Sequence, residues 1–244
     1  WNVAVIVSAI WMVFPCYVNS IQMADTITAT FHYGDGQTVS ETYSVKQYIE
    51  AFEAQQSSYD ATTQALIKSL ADYGHYVQPY LARERDWTLG TDYATMDKVY
   101  TEGYDYSAIQ TAVADQAIQR TYGTEEITAV TYSLVLDSKT AIRLYFAPAT
   151  GYTGSVSATI DGAAASVTTS GGRYIVDVSG LSAHMLGTPY QVVLTTDGGN
   201  TTAVVSVLSY VYGTLNNPDD TLACNAAASI YAYSAAADAY KLNH

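Results

Sequence analysis

The residues most able to do chemistry are spread thinly along this chain. Its histidines are His32, His75, His184 and His244, and no two of them lie at metal-ligand spacing. The two cysteines, Cys16 and Cys224, form no CxxC motif and no Cys/His cluster. Motifs of serine hydrolases, zinc proteases, P-loops and dinucleotide-binding turns do not occur in the sequence. The sequence therefore predicts a non-enzymatic protein with no catalytic residues, no metal site and no cofactor.

Carboxylates are the one class of reactive group that the chain holds in number. Glycoside hydrolysis needs only two of them, about 5–10 Å apart across a cleft. The Asp and Glu residues here gather in turns and linkers, where solvation is the ordinary explanation. A polysaccharide-active enzyme is therefore an alternative, and two carboxylates that face each other across a cleft would favour it.

A Tyr-rich acidic linker is expected at residues 82–126, with a short helical pattern in its second part. Its first part, residues 82–106, is the strongest candidate for a binding surface. This part carries aromatic rings among Asp and Glu side chains. The rings that we expect to bind a ligand are Trp87, Tyr93, Tyr100, Tyr104 and Tyr106. Aromatic faces beside carboxylates suit protein or sugar ligands. The alternative is that these rings pin a long linker onto the structures that flank it.

Composition limits the partners further. The chain has 244 residues, 49 % of them apolar, and a formal net charge of −13. This balance excludes nucleic acid and anionic membrane surfaces as partners, because both need clustered Lys and Arg. The most apolar run, residues 3–18, is shorter than a bilayer span and lacks a basic n-region. It predicts two buried strands broken near Pro15. Cys16 and Cys224 could pair in one disulfide or stay as two buried thiols.

An internal repeat organises the elements. A shift of 162 residues aligns Met12–Tyr48 with the later copy without a gap, and the shift then becomes 160. The first shift pairs Met23 with Met185 and Ser44 with Ser206, and the second pairs Tyr73 with Tyr233. We interpret this as a diverged tandem duplication. The predicted domains are a first repeat at 1–81, the linker at 82–126 and a second, complete repeat at 127–244.

Each copy has the same succession of patterns. Alternating residues predict a strand up to a Gly-Asp-Gly or Asp-Gly-Gly turn. A serine then precedes an apolar spacing of i, i+3, i+4 and i+7, so Ser44 is the expected N-cap of a helix from Val45. A longer helical stripe follows, rich in Tyr, which we interpret as core rather than as a ligand platform.

The second copy has strands that the first copy lacks. Short strands are expected at 131–138, 141–147, 155–161, 163–170 and 172–179, with turns between them, which is typical of a β-sandwich. The first copy has no counterparts of the first three, so we expect it to be N-terminally incomplete here. Either those strands precede it in a longer protein, or the first copy is a trimmed variant. A trimmed unit leaves an open sheet edge, and such an edge can recruit a strand from another chain.

The two copies resemble a module of large exported cell-surface proteins of gut Firmicutes and their relatives. The resemblance lies in "VFPCYVNSIQMADTITATFHYGDGQTVSETYSVKQYIEAF" and in "GRYIVDVSGLSAHMLGTPYQVVL" with "VSVLSYVYGTL". It implies an extracellular, wall-associated or secreted setting and no catalytic residues. The long helix of such modules carries a "YG" pair before an aromatic residue; the first copy keeps it in "SLADYGHY", whereas the second copy has "YAYSAAA".

These observations predict an α+β chain of two tandem related units, each a small, mainly antiparallel sandwich or sheet packed with a helix pair. The predicted function is a structural spacer or an adhesin of a bacterial cell surface, with a protein or glycan ligand and neighbouring modules as partners. The alternatives are a carbohydrate-binding accessory module and a subunit of a surface filament assembled by strand exchange. No membrane span is expected in the chain.

Overall fold

The computed structural model describes residues 26–34, 36–86, 98–136 and 139–244. The strands predicted within residues 3–18 lie outside these ranges, as do Cys16, Trp87 and Tyr93. The described part combines antiparallel sheets with five α-helices, which confirms the predicted α+β class.

The regular elements of the described chain are β-strands and α-helices. The strands are β1 (Ile27–His32), β2 (Thr38–Tyr43), β3 (Gln119–Tyr122), β4 (Ile127–Leu136), β5 (Thr140–Pro148), β6 (Ser157–Ile160), β7 (Ala163–Ala165), β8 (Thr168–Ser170), β9 (Arg173–Ser179), β10 (Tyr190–Thr196) and β11 (Gly199–Val205). The helices are α1 (Val45–Glu53), α2 (Ala61–Glu84), α3 (Tyr106–Ala112), α4 (Val207–Leu215) and α5 (Thr221–Asn243). Three short 3-10 turns lie at Gln56–Ser58, Ala114–Gln116 and Ala183–Met185.

These elements form two compact units. The first unit takes the described residues up to Tyr104 together with Thr221–His244, and the second is Asp105–Asp220. The final helix, α5, belongs to the first unit because it packs along α2. The compact units therefore divide the chain differently from the boundaries 1–81, 82–126 and 127–244. Those boundaries describe a relation between sequences and stay a prediction.

The helix α1 in the first unit begins where the sequence predicts it. The Ser44 hydroxyl accepts a hydrogen bond of 3.0 Å from the backbone N–H of Gln47, which caps the first turn. Ile49 and Phe52 are buried on one face, as the i, i+3, i+4 spacing requires. The Phe52 ring stacks on Tyr59 with 5.1 Å between centroids, and this contact fixes the connection to α2.

The two long helices of the first unit, α2 and α5, run antiparallel. The rings of Tyr73 and Tyr233 stack at 5.3 Å near the middle, while His244 Nε2 lies 3.4 Å from Asp60 Oδ2 at one end. Tyr73 and Tyr233 are partners in the 160-residue shift, so the pair is centred on equivalent residues. Desolvation raises the pKa of the Tyr233 hydroxyl to about 12, although the whole residue is only half-buried. The Tyr stripes therefore lie in a helix–helix contact.

The second unit contains two antiparallel sheets. One has the strand order β3-β11-β10-β6-β7 and the other the order β4-β5-β9-β8. Val192 and Leu194 alternate with more exposed residues along β10, and Ile142, Leu144 and Phe146 do the same along β5. Each sheet thus buries one face, as a period of two requires.

Two details differ from the sequence expectation. The single strand expected at 163–170 is two strands, β7 and β8, which belong to different sheets. Residues 166–167 let the chain leave one sheet for the other, and alternation alone does not reveal such a crossing. The end of the expected linker is also a strand, because β3 pairs with β11 through residues 119–122.

The first hairpin corrects the ungapped alignment of the two copies. In the first copy Tyr43 pairs with Ile27, and in the second copy Val205, the counterpart of Tyr43, pairs with Tyr190. The pairing therefore makes Tyr190 the counterpart of Ile27, whereas a shift of 162 would give residue 189. The Tyr33 N–H bonds to the Gln37 carbonyl at 2.9 Å, which leaves three residues, 34–36, in the first turn. In the second copy Thr196 pairs with Gly199, which leaves only residues 197–198, so the first turn is one residue longer. The shift within β1 is therefore 163, while β2 keeps 162.

Candidate functional site

The structure describes three of the five aromatic residues that the sequence singles out. Tyr100 and Tyr104 belong to the first unit and are half-buried. Tyr106 opens α3 in the second unit. Trp87 and Tyr93 lie outside the described residues. Tyr100 and Tyr104 come together on α2, in a segment from Lys98 to Tyr104 that we call the anchor segment.

The Tyr100 side chain connects the anchor segment to the end of α1. Its hydroxyl donates to the Glu53 carboxylate, and Lys98 Nζ lies 3.0 Å from the same carboxylate. The Lys98 and Lys68 ammonium groups also lie 5.3 Å and 5.8 Å from the centroid of the Tyr100 ring. These distances allow cation–π attraction, so the ring is held from both its edge and its face.

The hydrogen bonds in this cluster shift the pKa values of both partners. The bond from Tyr100, followed by that from Lys98, lowers the pKa of the Glu53 carboxyl below its usual 4.5. Desolvation, followed by the bond to Glu53, raises the pKa of the Tyr100 hydroxyl well above 10. Both shifts favour the charge states that make the contact near neutral pH.

Asp72 holds the backbone of the anchor segment. The residue is only 2 % exposed, although it lies in the middle of α2. Its Oδ1 accepts from the backbone N–H groups of Tyr100 at 2.6 Å and Thr101 at 3.3 Å. A buried carboxylate is stable only when such donors replace water. Asp72 is the residue that sequence reasoning missed, and its signal was a lone acid between Leu70 and Tyr73 of an apolar stripe.

Tyr76 holds the far end of the anchor segment. Its hydroxyl donates to the Thr101 carbonyl at 2.6 Å and accepts from the Gly103 N–H at 3.2 Å. Gly103 has φ = +89°, a left-handed conformation that favours glycine, and this turn brings the Tyr104 ring back toward the helix. The rings of Tyr76 and Tyr104 meet edge to face at 5.4 Å. Burial, with a smaller effect of Asp72, raises the pKa of Tyr104.

This arrangement acts as an anchor. The Glu53 and Asp72 carboxylates and the hydroxyls of Tyr76 and Tyr100 take part in intramolecular hydrogen bonds. The Tyr104 hydroxyl is buried without a hydrogen-bond partner, and its ring is held by packing against Tyr76. Asp72 is buried beneath backbone amides, so its carboxylate could not reach a substrate to act as a general acid or base.

The second unit has a small cavity of about 200 Å³. Gln116, Ser206 and Ser209 are among its lining residues. Ser206 and Ser209 form a capping box for α4, with reciprocal backbone-to-hydroxyl bonds of 3.1 Å and 2.9 Å. Both hydroxyls also donate to Gln116. The cavity is below the 300–1,000 Å³ of ordinary ligand pockets, and its hydroxyls already serve the helix end.

Among the residues the structure describes, no three His, Cys, Asp or Glu side chains gather in a way that could hold a metal ion. Within the same residues, no helix has the length and apolar character needed to cross a membrane.

Comparison with known proteins finds no matching family model, no matching curated protein and no matching solved structure.

Proposed function

We propose that the chain is a non-enzymatic structural module of a bacterial cell-surface or secreted protein. The observation that carries this proposal is the anchor segment, where two of the five aromatic residues that the sequence singles out, Tyr100 and Tyr104, contact α1 and α2. The net charge of −13 and the resemblance to exported repeat modules support the extracellular setting. A structural module needs such internal ties more than it needs an open site.

The proposal includes a duplicated architecture. The element order from β1 to α2 recurs from β10 to α5, and both short helices begin after a capping serine, Ser44 and Ser206. The stacked pair Tyr73 and Tyr233 supports the same relation. We propose that the two copies are tandem repeats, and that the two sheets of the second unit pack face to face as a sandwich. Each sheet has one buried apolar face, which such a packing would use.

The test separates a structural role of the anchor segment from a binding role. Tyr100→Phe keeps the ring and removes the hydroxyl bond to Glu53, whereas Tyr104→Ala removes a ring. We expect both variants to lower the Tm by several degrees, since 1 kcal/mol corresponds to about 2–4 °C in a chain of this size. Binding of the full chain to a glycan array and to purified bacterial cell wall should not depend on either residue. Unchanged Tm values together with lost binding would contradict the proposal, and so would release of sugar from any polysaccharide.

Strand exchange is a second candidate, favoured by the hairpin of β1 and β2. Among the described residues, the two strands pair only with each other, so each has one open edge. Counterpart edges in the second unit are covered, because β10 pairs with β6 and β11 pairs with β3. A filament subunit would fill these edges with strands of a neighbour, and concentration-dependent polymers in electron micrographs would support it.

A further inference from the structure

The hairpin of β1 and β2 has one polar face and one largely apolar face. On the polar face, Thr30 and Ser40 hydroxyls bond across the strands at 2.8 Å. On the other face, Phe31 lies opposite Val39, and Tyr43 follows at the end of β2. The exposed fractions are 53 % for Phe31, 44 % for Val39 and 46 % for Tyr43. Three large apolar side chains on one hairpin face are therefore open to solvent.

The corresponding face in the second unit is buried. The pairing registers align Phe31 with Leu194 and Tyr43 with Val205. Leu194 is 0 % exposed and Val205 is 1 % exposed. The same face of the same hairpin is thus part of a core in one copy and uncovered in the other. An apolar sheet face needs a second layer, so the first copy lacks its cover among the described residues.

The chain of the second unit indicates where a cover would come from. There, β9 precedes β10 in sequence but lies in the other sheet, and residues 180–189 cross between the two sheets. The 162-residue shift places the counterpart of β9 at residues 11–17. Ser20 and Met23 match Ser182 and Met185 of the crossing segment. The counterpart of β9 therefore falls inside the apolar run 3–18.

We propose that residues 3–18 of this chain cover the apolar face of the β1–β2 hairpin. The run contains no Asp, Glu, Lys or Arg, so it is suited to a water-free contact. Two strands of about six residues would each span about 20 Å, which matches the length of β1. Residues 19–26 then have to cross between sheet layers about 10 Å apart, and eight residues reach up to about 26 Å. Attachment to β1 also gives the run a high effective concentration at the face.

Glu41 sets a condition on this packing. It lies opposite Ala29, on the same face as Val39 and Tyr43, and its counterpart is the buried Ala203. Because β2 is an edge strand among the described residues, the Glu41 side chain can extend past the edge and keep its carboxylate in water. The cover therefore lies mainly over β1. Replacing this glutamate by the residue of the second copy should strengthen the contact.

The test uses Cys16 as a reporter in the full chain. Labelling of thiols with a maleimide, followed by peptide mass mapping, gives the rate for Cys16 separately from that of the buried Cys224. We expect Cys16 to react about 100-fold more slowly than in the denatured chain. The pair Phe31→Asp and Val39→Asp should accelerate the reaction at least tenfold. The matched control, Thr30→Asp and Ser40→Asp, places two opposed carboxylates on the polar face and should leave the rate within about twofold.

Each other outcome overturns the proposal. A native rate equal to the denatured rate would show that the run is uncovered, and equal acceleration by both double variants would remove the specificity for the apolar face. Light scattering distinguishes a different occupant: a dimer that Phe31→Asp converts to a monomer would mean that a second copy covers the face. Glu41→Ala provides an arm that does not depend on disrupting the hairpin. It should slow the labelling of Cys16, and an unchanged or faster rate counts against the proposal.

Discussion

Helix α4 and strand β4 lie in close contact at Gly213 and Tyr132. We predict that Gly213→Ala destabilises the chain when the Tyr132 hydroxyl is present and stabilises it when the hydroxyl is removed. Tyr132 Oη donates to the Ser209 carbonyl at 3.0 Å. A Cβ added to Gly213 would lie 2.8 Å from this hydroxyl oxygen but 3.8 Å from the ring carbon that carries it. The first separation is an overlap, and the second is an ordinary van der Waals contact. Gly213→Ala should therefore destabilise the chain only while the Tyr132 hydroxyl is present.

The magnitude follows from two opposed effects. Alanine is favoured over glycine within a helix by about 1 kcal/mol. The overlap with a ring held by packing and a hydrogen bond costs about 1–3 kcal/mol. Gly213→Ala alone should thus lower the free energy of unfolding by up to about 2 kcal/mol. Tyr132→Phe alone should cost about 1 kcal/mol for the lost hydrogen bond. In that background, Gly213→Ala should stabilise by about 1 kcal/mol, since only the helix propensity remains.

The assay is urea denaturation followed by circular dichroism for the four chains of the cycle. The m-value serves as the control, because an unchanged slope shows that stability and not compactness has changed. We expect a coupling energy of about 1–3 kcal/mol between the two sites. Equal effects of Gly213→Ala in both backgrounds would refute this account of the contact.

Three further predictions concern the cluster, the caps and the sheet. The pKa of Glu53 is lowered, so its contribution to the free energy of unfolding is present above pH 4.5, its unfolded pKa, and is lost as the pH falls through the native pKa. The pKa of Tyr100 is raised, so its contribution to the free energy of unfolding is present below pH 10.0 and is lost as the pH rises through the native pKa. Unfolding scans against pH should show both losses. In Tyr100→Phe the loss at high pH should be absent and the loss at low pH should be smaller, because Lys98 still contacts Glu53. Ser44→Ala should cost about 1 kcal/mol, whereas Ser206→Ala should cost about 1–3 kcal/mol more, since it leaves buried polar partners unpaired; equal changes in Tm would contradict this. Arg143→Lys keeps the charge but loses the two-point contact with the carboxylate on β9, at 2.8 Å and 2.7 Å, and should cost no more than about 1 kcal/mol in urea titrations.

Local patterns predicted the local elements well. The helix beginning at Val45 and its serine cap follow from side-chain spacing and from a hydroxyl that satisfies an open N–H. The long stripe around Tyr73 predicted α2 for the same reason, and Pro79 does not end that helix. Such features depend on residues close in sequence, which is why a single sequence is enough to find them.

Long-range arrangement could not be read in the same way. The pairing of α5 with α2 joins residues 160 positions apart, and an amphipathic stripe does not name its partner. The division of 163–170 between two sheets depends on hydrogen bonds to β6 and β9 rather than on its own pattern. Asp72 was missed because its function comes from two backbone donors that the chain brings to it from residues 100–101.

The central claim is that the anchor segment is held to α2 as part of the structure. Amide hydrogen exchange by NMR tests it most directly at Tyr100 and Thr101, whose N–H groups bond to the buried Asp72. We predict that both amides are protected in the native chain, and that Asp72→Ala abolishes this protection while the amides in the core of α2 stay protected. Exchange of the Tyr100 and Thr101 amides at open-chain rates in the native protein would contradict the claim and leave the segment available for a ligand.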